Sequence, residues 1–260
     1  MHRVVLAALL ATTPAVADAQ AQHHGAPPAA ASVAGDAATA PQGVFSVMTN
    51  GAFRNFMQKQ DFRPTVSLGA ARATGATEAV GALSNLRGEI TMIDGRYVLS
   101  YGGGCKGTCP APHAEEAALL GTGRVTEWAS PVTLPEAYAG KALDDFIITT
   151  ARAAGVDMAR PFPIRMKGTL TAVAMHVIEA PMPGFTGHGS KVHMAKQDEF
   201  RHDTLPGLVV GFYVPSSQHG TLSHPGEPFH YHWLDEARTR TAHLDAFGMA
   251  KGAELLLPKR

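Results

Sequence analysis

Three histidines in one short segment are the residues of this chain whose types and spacing point most directly to chemistry. Residues 228–245 read PFHYHWLDEARTRTAHLD, with His230 and His232 separated by one residue and His243 further along. On a β-strand, side chains two positions apart point to the same face of the sheet. His230 and His232 can therefore aim at one point, and an antiparallel strand returning after a turn at residues 236–238 would bring His243 opposite them.

Converging neutral imidazoles are typical ligands of Zn²⁺, and three of them leave a fourth coordination position for water or substrate. This pattern favours a catalytic zinc over a structural one, which a fourth protein ligand normally closes. Another divalent transition metal is also compatible, because imidazole binds copper, nickel and iron. The alternative is that these histidines bond only to neighbouring backbone groups and hold no metal.

Composition narrows the class of protein. The 260 residues suffice for one large domain or two small ones, and a chain that is 45% hydrophobic and 17% charged is typical of a globular protein. Lys plus Arg and Asp plus Glu both total 22. Because this balance leaves no excess of basic residues, it excludes nucleic acid as the expected partner.

Residues 1–21 have the layout of a secretory signal peptide, with a basic start, an apolar run and small residues before a cleavage site. The apolar run is too short to span a bilayer, and no later segment is long and apolar enough. Residues 22–42 are rich in Ala, Pro and Gly and predict a disordered linker. We therefore expect a periplasmic or secreted protein, not membrane-bound after signal cleavage, whose folded domain covers residues 43–260.

The periodicity of the remaining chain predicts an α+β fold. Apolar spacing indicates a helix around Phe53 and Phe56 and a longer one within residues 134–155. Residues 88–103 predict a hairpin that turns at Asp94-Gly95, and alternating segments follow from residue 162. We expect a mixed β-sheet with helices over about residues 43–155, and a mostly antiparallel, barrel-like sheet carrying the metal site over about residues 156–260.

Several short motifs, in order along the chain, resemble the acetolactate decarboxylase family. The shared frame is His-X-His, ten residues, then His followed by Leu-Asp. Further matching pieces are GEITMIDGRY at 88–97, VFS at 44–46, DF at 61–62, FPIR at 162–165, GT at 168–169, GFY at 211–213 and PG at 225–226. Together they cover about residues 43–257, and the chain resembles a divergent, exported member of that family.

The resemblance implies a metal-dependent carbon–carbon lyase. Family members convert 2-acetolactate, a small branched 2-hydroxy-3-oxo acid, to acetoin and carbon dioxide through an enediolate that Zn²⁺ stabilises. His230, His232 and His243 would be the metal ligands. Glu89 matches the family's active-site glutamate, which would deliver a proton to carbon. Arg165 matches its active-site arginine, whose guanidinium suits a substrate carboxylate. Without the resemblance, Glu89 is equally well a solvated charge, and Arg165 the partner of a surface acid.

Departures from the family pattern leave a second function open. Thr241-Ala242 stands where the family has Gly-Gly before its third histidine, and the loop before His230 is longer. No residue matches the family's second acid, which a segment beyond the third histidine contributes, and Glu254 is not assigned that role. The alternative is an exported, non-catalytic protein that binds a metal or a small molecule and keeps the fold and the three histidines. Formation of a homodimer stays open.

Two further features lie outside the shared motifs. Cys105 and Cys109 follow three glycines, and close thiols in an exported protein favour a structural disulfide. The alternative there is a soft-metal or redox site that includes His113. The second feature is a histidine-containing segment at residues 184–203, rich in Gly and charge, which predicts an exposed loop bordering the active site and holds His188, His193 and His202.

Overall fold

Strand pairing organises the described part of the chain, residues 44–105 and 108–260 of a computed structural model, into two β-sheets. The predicted signal peptide at residues 1–21 and the predicted linker at residues 22–42 lie outside the described residues. Export therefore stays a prediction from the sequence. In the part of the chain that the structure describes, no helix combines the length and apolar character that crossing a membrane requires.

The first sheet comes from the first half of the described chain. Its strands are β1 (Phe45–Asn50), β2 (Val66–Ser67), β3 (Glu78–Leu83), β4 (Gly88–Ile93), β5 (Arg96–Tyr101) and β6 (Glu116–Val125). Their order is β1-β6-β3-β4-β5, and β2 pairs with β6. Helices α1 (Phe53–Lys59) and α2 (Leu68–Ala73) follow β1 and β2. The predicted early helix is confirmed as α1, which buries Phe53 and Phe56.

The predicted hairpin at Asp94-Gly95 is confirmed. Strands β4 and β5 pair in register from Gly88↔Tyr101 to Ile93↔Arg96. Asp94 and Gly95 both have positive φ angles, 52° and 71°, as a tight two-residue hairpin turn requires. Because period-two alternation then fixes which side chains share a face, Glu89 and Thr91 point to the same side of β4.

The second sheet carries the histidine segment. Its strands are β7 (Val132–Thr133), β8 (Tyr138–Ala139), β9 (Phe162–Pro181), β10 (Ala195–Tyr213), β11 (Phe229–Leu234), β12 (Thr241–Met249) and β13 (Glu254–Leu256). They follow the order β7-β13-β9-β10-β11-β12-β8, and β12 pairs with β9 as well. This extra pairing closes a ring of antiparallel pairings through β9, β10, β11 and β12. Helix α3 (Lys141–Ala153), which lies within the predicted longer helix, buries Leu143, Ile147 and Ala151 against this sheet.

The α+β class is confirmed, and one detail of the prediction is wrong. The first sheet was expected to be mixed, but every strand pairing described in it is antiparallel. Two of its five pairings, β3–β4 and β4–β5, join consecutive strands through short connections, which allow only antiparallel pairing because parallel neighbours need a crossover of a dozen or more residues. The division near residue 155 stays a prediction; strands β7 and β8 precede it and pair within the second sheet.

A shared core holds the two sheets together. Side chains of the first sheet and of α1, such as Phe56, Val80 and Leu119, pack with Val210 and Phe212 of β10. Such close packing fixes the relative positions of the strands to within small displacements. The described chain from β1 onward lies within one compact unit. Groups on β4 are therefore held rigidly against groups on β11 and β12.

A disulfide and a backbone hydrogen bond constrain the segment after β5. Cys105 and Cys109 form the predicted disulfide, with their Cα atoms 5.6 Å apart. The Gly102 N–H donates to the Ile178 carbonyl oxygen at 3.2 Å. Strand β9 is thereby linked to the first sheet close to the point at which it passes Glu89.

Candidate metal centre

The three histidines converge as predicted. His230 and His232 point to the same face of β11, and the β11–β12 register sets His232 directly opposite His243. The Nε2 atom of His230 lies 3.1 Å from Nε2 of His232 and 3.2 Å from Nδ1 of His243. One nitrogen from each residue falls within 4.8 Å of the others, a set that could hold a metal ion.

Hydrogen bonds fix which nitrogen of His232 faces the other two rings. The Thr241 hydroxyl donates to the Trp233 carbonyl at 2.9 Å, so its oxygen must accept from Thr91, 2.5 Å away. Because Thr91 donates its single proton to Thr241, its oxygen must accept a hydrogen bond from Nδ1 of His232, at 2.9 Å. The proton of His232 therefore sits on Nδ1, and the lone pair of Nε2 points toward the other imidazoles.

His230 is oriented in the same way by a backbone group. Its Nδ1 lies 2.8 Å from the Leu222 carbonyl oxygen, which can only accept a hydrogen bond. Nδ1 therefore carries the proton, and Nε2 is left as the acceptor nitrogen. Metal-binding histidines commonly donate their second ring N–H to a carbonyl or hydroxyl oxygen in this manner. Thr241, which takes part in the hydrogen bonds that orient His232, occupies one of the positions at which the sequence departs from the family pattern.

Burial keeps all three imidazoles neutral. It lowers the pKa of His230 to about 3 and takes the pKa values of His232 and His243 well below the ordinary value. Neutral imidazole is the form that binds metals. The donor set therefore fits a borderline-soft divalent cation such as Zn²⁺, with room for a further ligand.

Glu89 lies beside the histidines, as the sequence predicted. Its carboxylate is buried, with Oε2 3.7 Å from Nε2 of His232. Oε1 accepts a hydrogen bond from the Ile178 N–H at 3.2 Å and lies 4.0 Å from Nε2 of His176. Burial raises the pKa of Glu89 to about 7. A carboxyl group in this setting can supply or accept a proton near neutral pH.

A cavity of about 430 Å³ opens onto these groups. Glu89, His230 and His243 line it together with apolar side chains of α1 and of the segment between β9 and β10. Such a volume accommodates a small molecule. In this region the prediction of an exposed loop at residues 184–203 is partly wrong, because β10 begins at Ala195 and its long pairing with β9 includes His202. The remaining loop does border the cavity through His193.

Sequence reasoning missed three residues that line or approach the cavity. His176 lies opposite His243 in the β9–β12 register, and its Nδ1 is 2.8 Å from Asp245 Oδ1. Burial alone would lower the pKa of His176, but the bond to Asp245 and the nearby Glu89 carboxylate raise it above its ordinary value. His224 also lines the cavity, where burial lowers its pKa to about 4. Of the three, Asp245 could have been found from the sequence, because it follows His243 by two residues on one strand face.

Arg165 is the predicted site residue that the structure does not bring to the histidines. It is absent from the lining of the described cavity. Its guanidinium binds the fully buried Glu78 carboxylate through two nitrogens and donates to Asp94 at 2.6 Å. Trp128 packs against it, with the ring centre 4.8 Å from Cζ. The geometry favours a structural role, and contact of Arg165 with a substrate stays a prediction.

Comparison with known proteins agrees with this geometry. The sequence profile of the alpha-acetolactate decarboxylase family matches residues 57–256. No curated protein sequence matches the chain.

Solved structures show the same fold. Alpha-acetolactate decarboxylase from Bacillus subtilis strain 168 superimposes with a TM-score of 0.64 at 16% sequence identity, covering 82% of this chain and 86% of that chain. Acetolactate decarboxylase from Bacillus subtilis subspecies spizizenii gives a TM-score of 0.63 at 15% identity, with 82% and 86% covered. A Staphylococcus aureus protein of unknown function, similar to alpha-acetolactate decarboxylase, gives 0.60 at 15% identity, with 82% and 85% covered.

Replacing His232 with Ala should abolish metal binding, because it removes one of three ligands and leaves two. We expect the purified chain to contain about one equivalent of divalent metal by mass spectrometry, and the variant to contain less than about a tenth of that. His188→Ala is the matched control, since His188 is exposed and is not one of the three clustered histidines. Equal metal content in both variants would contradict the assignment.

Replacing Arg165 with Met should destabilise the fold, because the buried carboxylate of Glu78 loses its ion pair. We expect a loss of about 3–5 kcal/mol in the free energy of unfolding, measured by urea denaturation. The double variant Glu78→Met with Arg165→Met should recover much of this loss, since no unpaired charge stays buried. Undiminished stability of the single variant, combined with weaker substrate use, would instead favour the substrate contact that the sequence predicted.

Proposed function

Since this chain belongs to the alpha-acetolactate decarboxylase family, we propose that it is a metal-dependent carboxy-lyase acting on 2-acetolactate or a related branched 2-hydroxy-3-oxo acid. The products would be acetoin, or the corresponding hydroxyketone, and carbon dioxide. One observation carries the proposal: three neutral imidazoles converge beside the buried carboxyl of Glu89, and His230, His243 and Glu89 line one cavity of small-molecule size.

The residues present fit a Zn²⁺ ion held by His230, His232 and His243. Such an ion would supply Lewis acidity for the negative charge that develops on the substrate oxygens as carbon dioxide leaves. The donor nitrogens are oriented before any ion binds, because Leu222 and Thr91 fix the protons of His230 and His232 on their Nδ1 atoms. Ligands held in this way need little reorganisation on binding.

Glu89 would supply the proton. When the bond between the substrate's α-carbon and its carboxylate breaks, the electron pair stays on the α-carbon and is shared with the neighbouring ketone. A proton must then be added to that carbon, and the carboxyl of Glu89 is the acid held beside the triad. The Ile178 N–H bonds to Oε1, which keeps Oε2 directed toward the imidazoles.

The walls of the cavity would hold the substrate and exclude water. Phe53 and Phe56 of α1, and Ile178 of β9, form apolar surface next to Glu89. Low polarity strengthens electrostatic interactions inside the cavity. His176 donates its Nδ1–H to Asp245 and presents Nε2 on the same side, where the imidazolium form, which its raised pKa favours, can donate to a substrate oxygen. This pair is the polar group best placed to orient a carboxylate, since Arg165 is occupied elsewhere.

Replacing Glu89 with Gln should keep the metal and remove most of the activity, because the amide preserves shape and cannot supply the proton. We expect acetoin formation from racemic 2-acetolactate to fall by about 10²–10⁴-fold, measured by colorimetric or chromatographic detection of acetoin. Glu254→Gln is the control, since Glu254 is exposed on β13.

Three outcomes separate the functions. Activity that is lost in Glu89→Gln and retained in Glu254→Gln supports the decarboxylase. Equal activity in the Glu89→Gln variant and the parent chain contradicts the role of Glu89. Bound metal with no product from any 2-hydroxy-3-oxo acid tested overturns the proposed reaction and favours the alternative of a non-catalytic binding protein.

A further inference from the structure

The cavity beside the triad is larger than 2-acetolactate requires. Its volume is about 430 Å³. An apolar cavity of about 150 Å³ is enough to enclose benzene, which has six carbon atoms. On the same scale 2-acetolactate, with nine non-hydrogen atoms, needs roughly 225 Å³. With this substrate bound, about half of the cavity would be left unfilled.

Five of the ionisable residues that line the cavity form one polar cluster. Nδ1 of His243 lies 3.2 Å from Nε2 of His230, and Nε2 of His176 lies 4.0 Å from Oε1 of Glu89. Asp245 is hydrogen-bonded to His176 at 2.8 Å, and the rings of His176 and His243 are 4.8 Å apart at their centres. The carboxylate, hydroxyl and ketone of a substrate are the groups that this cluster can recognise.

The rest of the lining is mostly apolar, and much of it belongs to one packed cluster. Phe53 and Phe56 of α1 pack together with Ala195 of β10, and Met57 and Met194 lie against them. We name these five residues the apolar wall. The two phenylalanine rings are 5.8 Å apart at their centres, a spacing at which aromatic rings interact. Methionine side chains can adjust their shape to an apolar group that packs against them.

His224 joins the polar cluster to the apolar wall. Its ring centre is 3.8 Å from that of Phe53 and 5.9 Å from that of His243. The apolar wall therefore begins one imidazole ring away from the triad. An apolar group attached directly to the reacting carbons of a bound substrate is within reach of it.

We infer that the unfilled part of the cavity is a subsite for a benzyl-sized apolar group, carried by the preferred substrate in place of one methyl group of 2-acetolactate. The inference rests on the proposed function, because it specifies the substrate class of the same site. A benzyl-substituted substrate has fifteen non-hydrogen atoms and needs roughly 375 Å³ on the same scale. That volume fits the cavity of about 430 Å³.

The reaction is the same for the larger substrate. The bond between the α-carbon and the carboxylate breaks, carbon dioxide leaves, and the electron pair stays on the α-carbon. That carbon then takes up one proton, which gives a benzyl-substituted hydroxyketone. The added ring contributes burial of apolar surface against the apolar wall and takes no part in the bond changes.

Rates with matched substrates test the inference. The metal-loaded chain is supplied with 2-acetolactate and, separately, with the two isomers in which a benzyl group replaces one or the other methyl group. Release of carbon dioxide is measured, since it is the product common to all three. We expect kcat/KM for one benzyl isomer to exceed that for 2-acetolactate by at least about tenfold, because one buried methylene alone changes kcat/KM by about that factor. Equal or higher kcat/KM for 2-acetolactate would overturn the inference and leave the proposed function standing.

Binding of unreactive analogues separates failure of the inference from failure of the proposed function. When the ketone is reduced to a hydroxyl, the analogue has no group to accept the electron pair and does not decarboxylate. Isothermal titration calorimetry then measures affinity independently of turnover. Binding of a benzyl analogue at least about tenfold tighter than that of the methyl analogue supports the subsite, even where no substrate is decarboxylated. Equal affinities would overturn the subsite.

Filling the subsite should reverse the preference. Ala195→Leu adds bulk to the apolar wall, and Val192→Phe adds bulk to the cavity lining between β9 and β10. We expect each variant to lower the ratio of kcat/KM for the benzyl isomer to that for 2-acetolactate by at least about tenfold. Ala153→Leu, an exposed change at the end of α3, is the control and should leave this ratio unchanged. Circular dichroism and metal content identify the folded variants, and an unchanged ratio in a folded filling variant would contradict the subsite.

Discussion

The site depends on one chain of hydrogen bonds that crosses between the two sheets. It runs from His232 on β11 through Thr91 on β4 and Thr241 on β12 to the Trp233 carbonyl. Because each hydroxyl has one proton and the carbonyl has none, only one direction of donation satisfies every atom. The packing of the first sheet against the second therefore also orients Nε2 of His232 toward the other two imidazoles. Loss of either threonine hydroxyl would leave a buried polar group unpaired and the ring free to turn.

Burial explains the rest of the chemistry. Three imidazoles and a carboxyl are buried beside a small, largely apolar cavity, where charged groups are costly unless compensated. The imidazoles respond by remaining neutral, and the pKa of Glu89 rises to about 7. A divalent cation at the triad would offset the charge of the carboxylate at 3.7 Å from His232. Arg165 stays charged, and its charge is compensated by ion pairs with Glu78 and Asp94 away from the cavity.

The histidine triad was predictable from sequence because it depends on local geometry alone. Alternation along a strand sets His230 and His232 on one face, and a short turn returns His243 opposite them. The position of Glu89 rested on resemblance to a family. His176 was not predictable, because it meets Asp245 across 69 residues, and only the β9–β12 pairing that closes the ring brings them together. For Arg165, the local sequence could not reveal that a buried carboxylate 87 residues away binds its guanidinium.

The most direct test of the metal centre is anomalous X-ray diffraction at the zinc edge from crystals grown with Zn²⁺. A zinc site at the triad predicts one strong peak about 2.0–2.1 Å from a nitrogen of each of His230, His232 and His243, on the side that faces Glu89. It also predicts that the binding nitrogens of His230 and His232 are Nε2. A peak bound elsewhere, or none at the three imidazoles despite saturating Zn²⁺, would contradict the metal centre on which the proposed reaction depends.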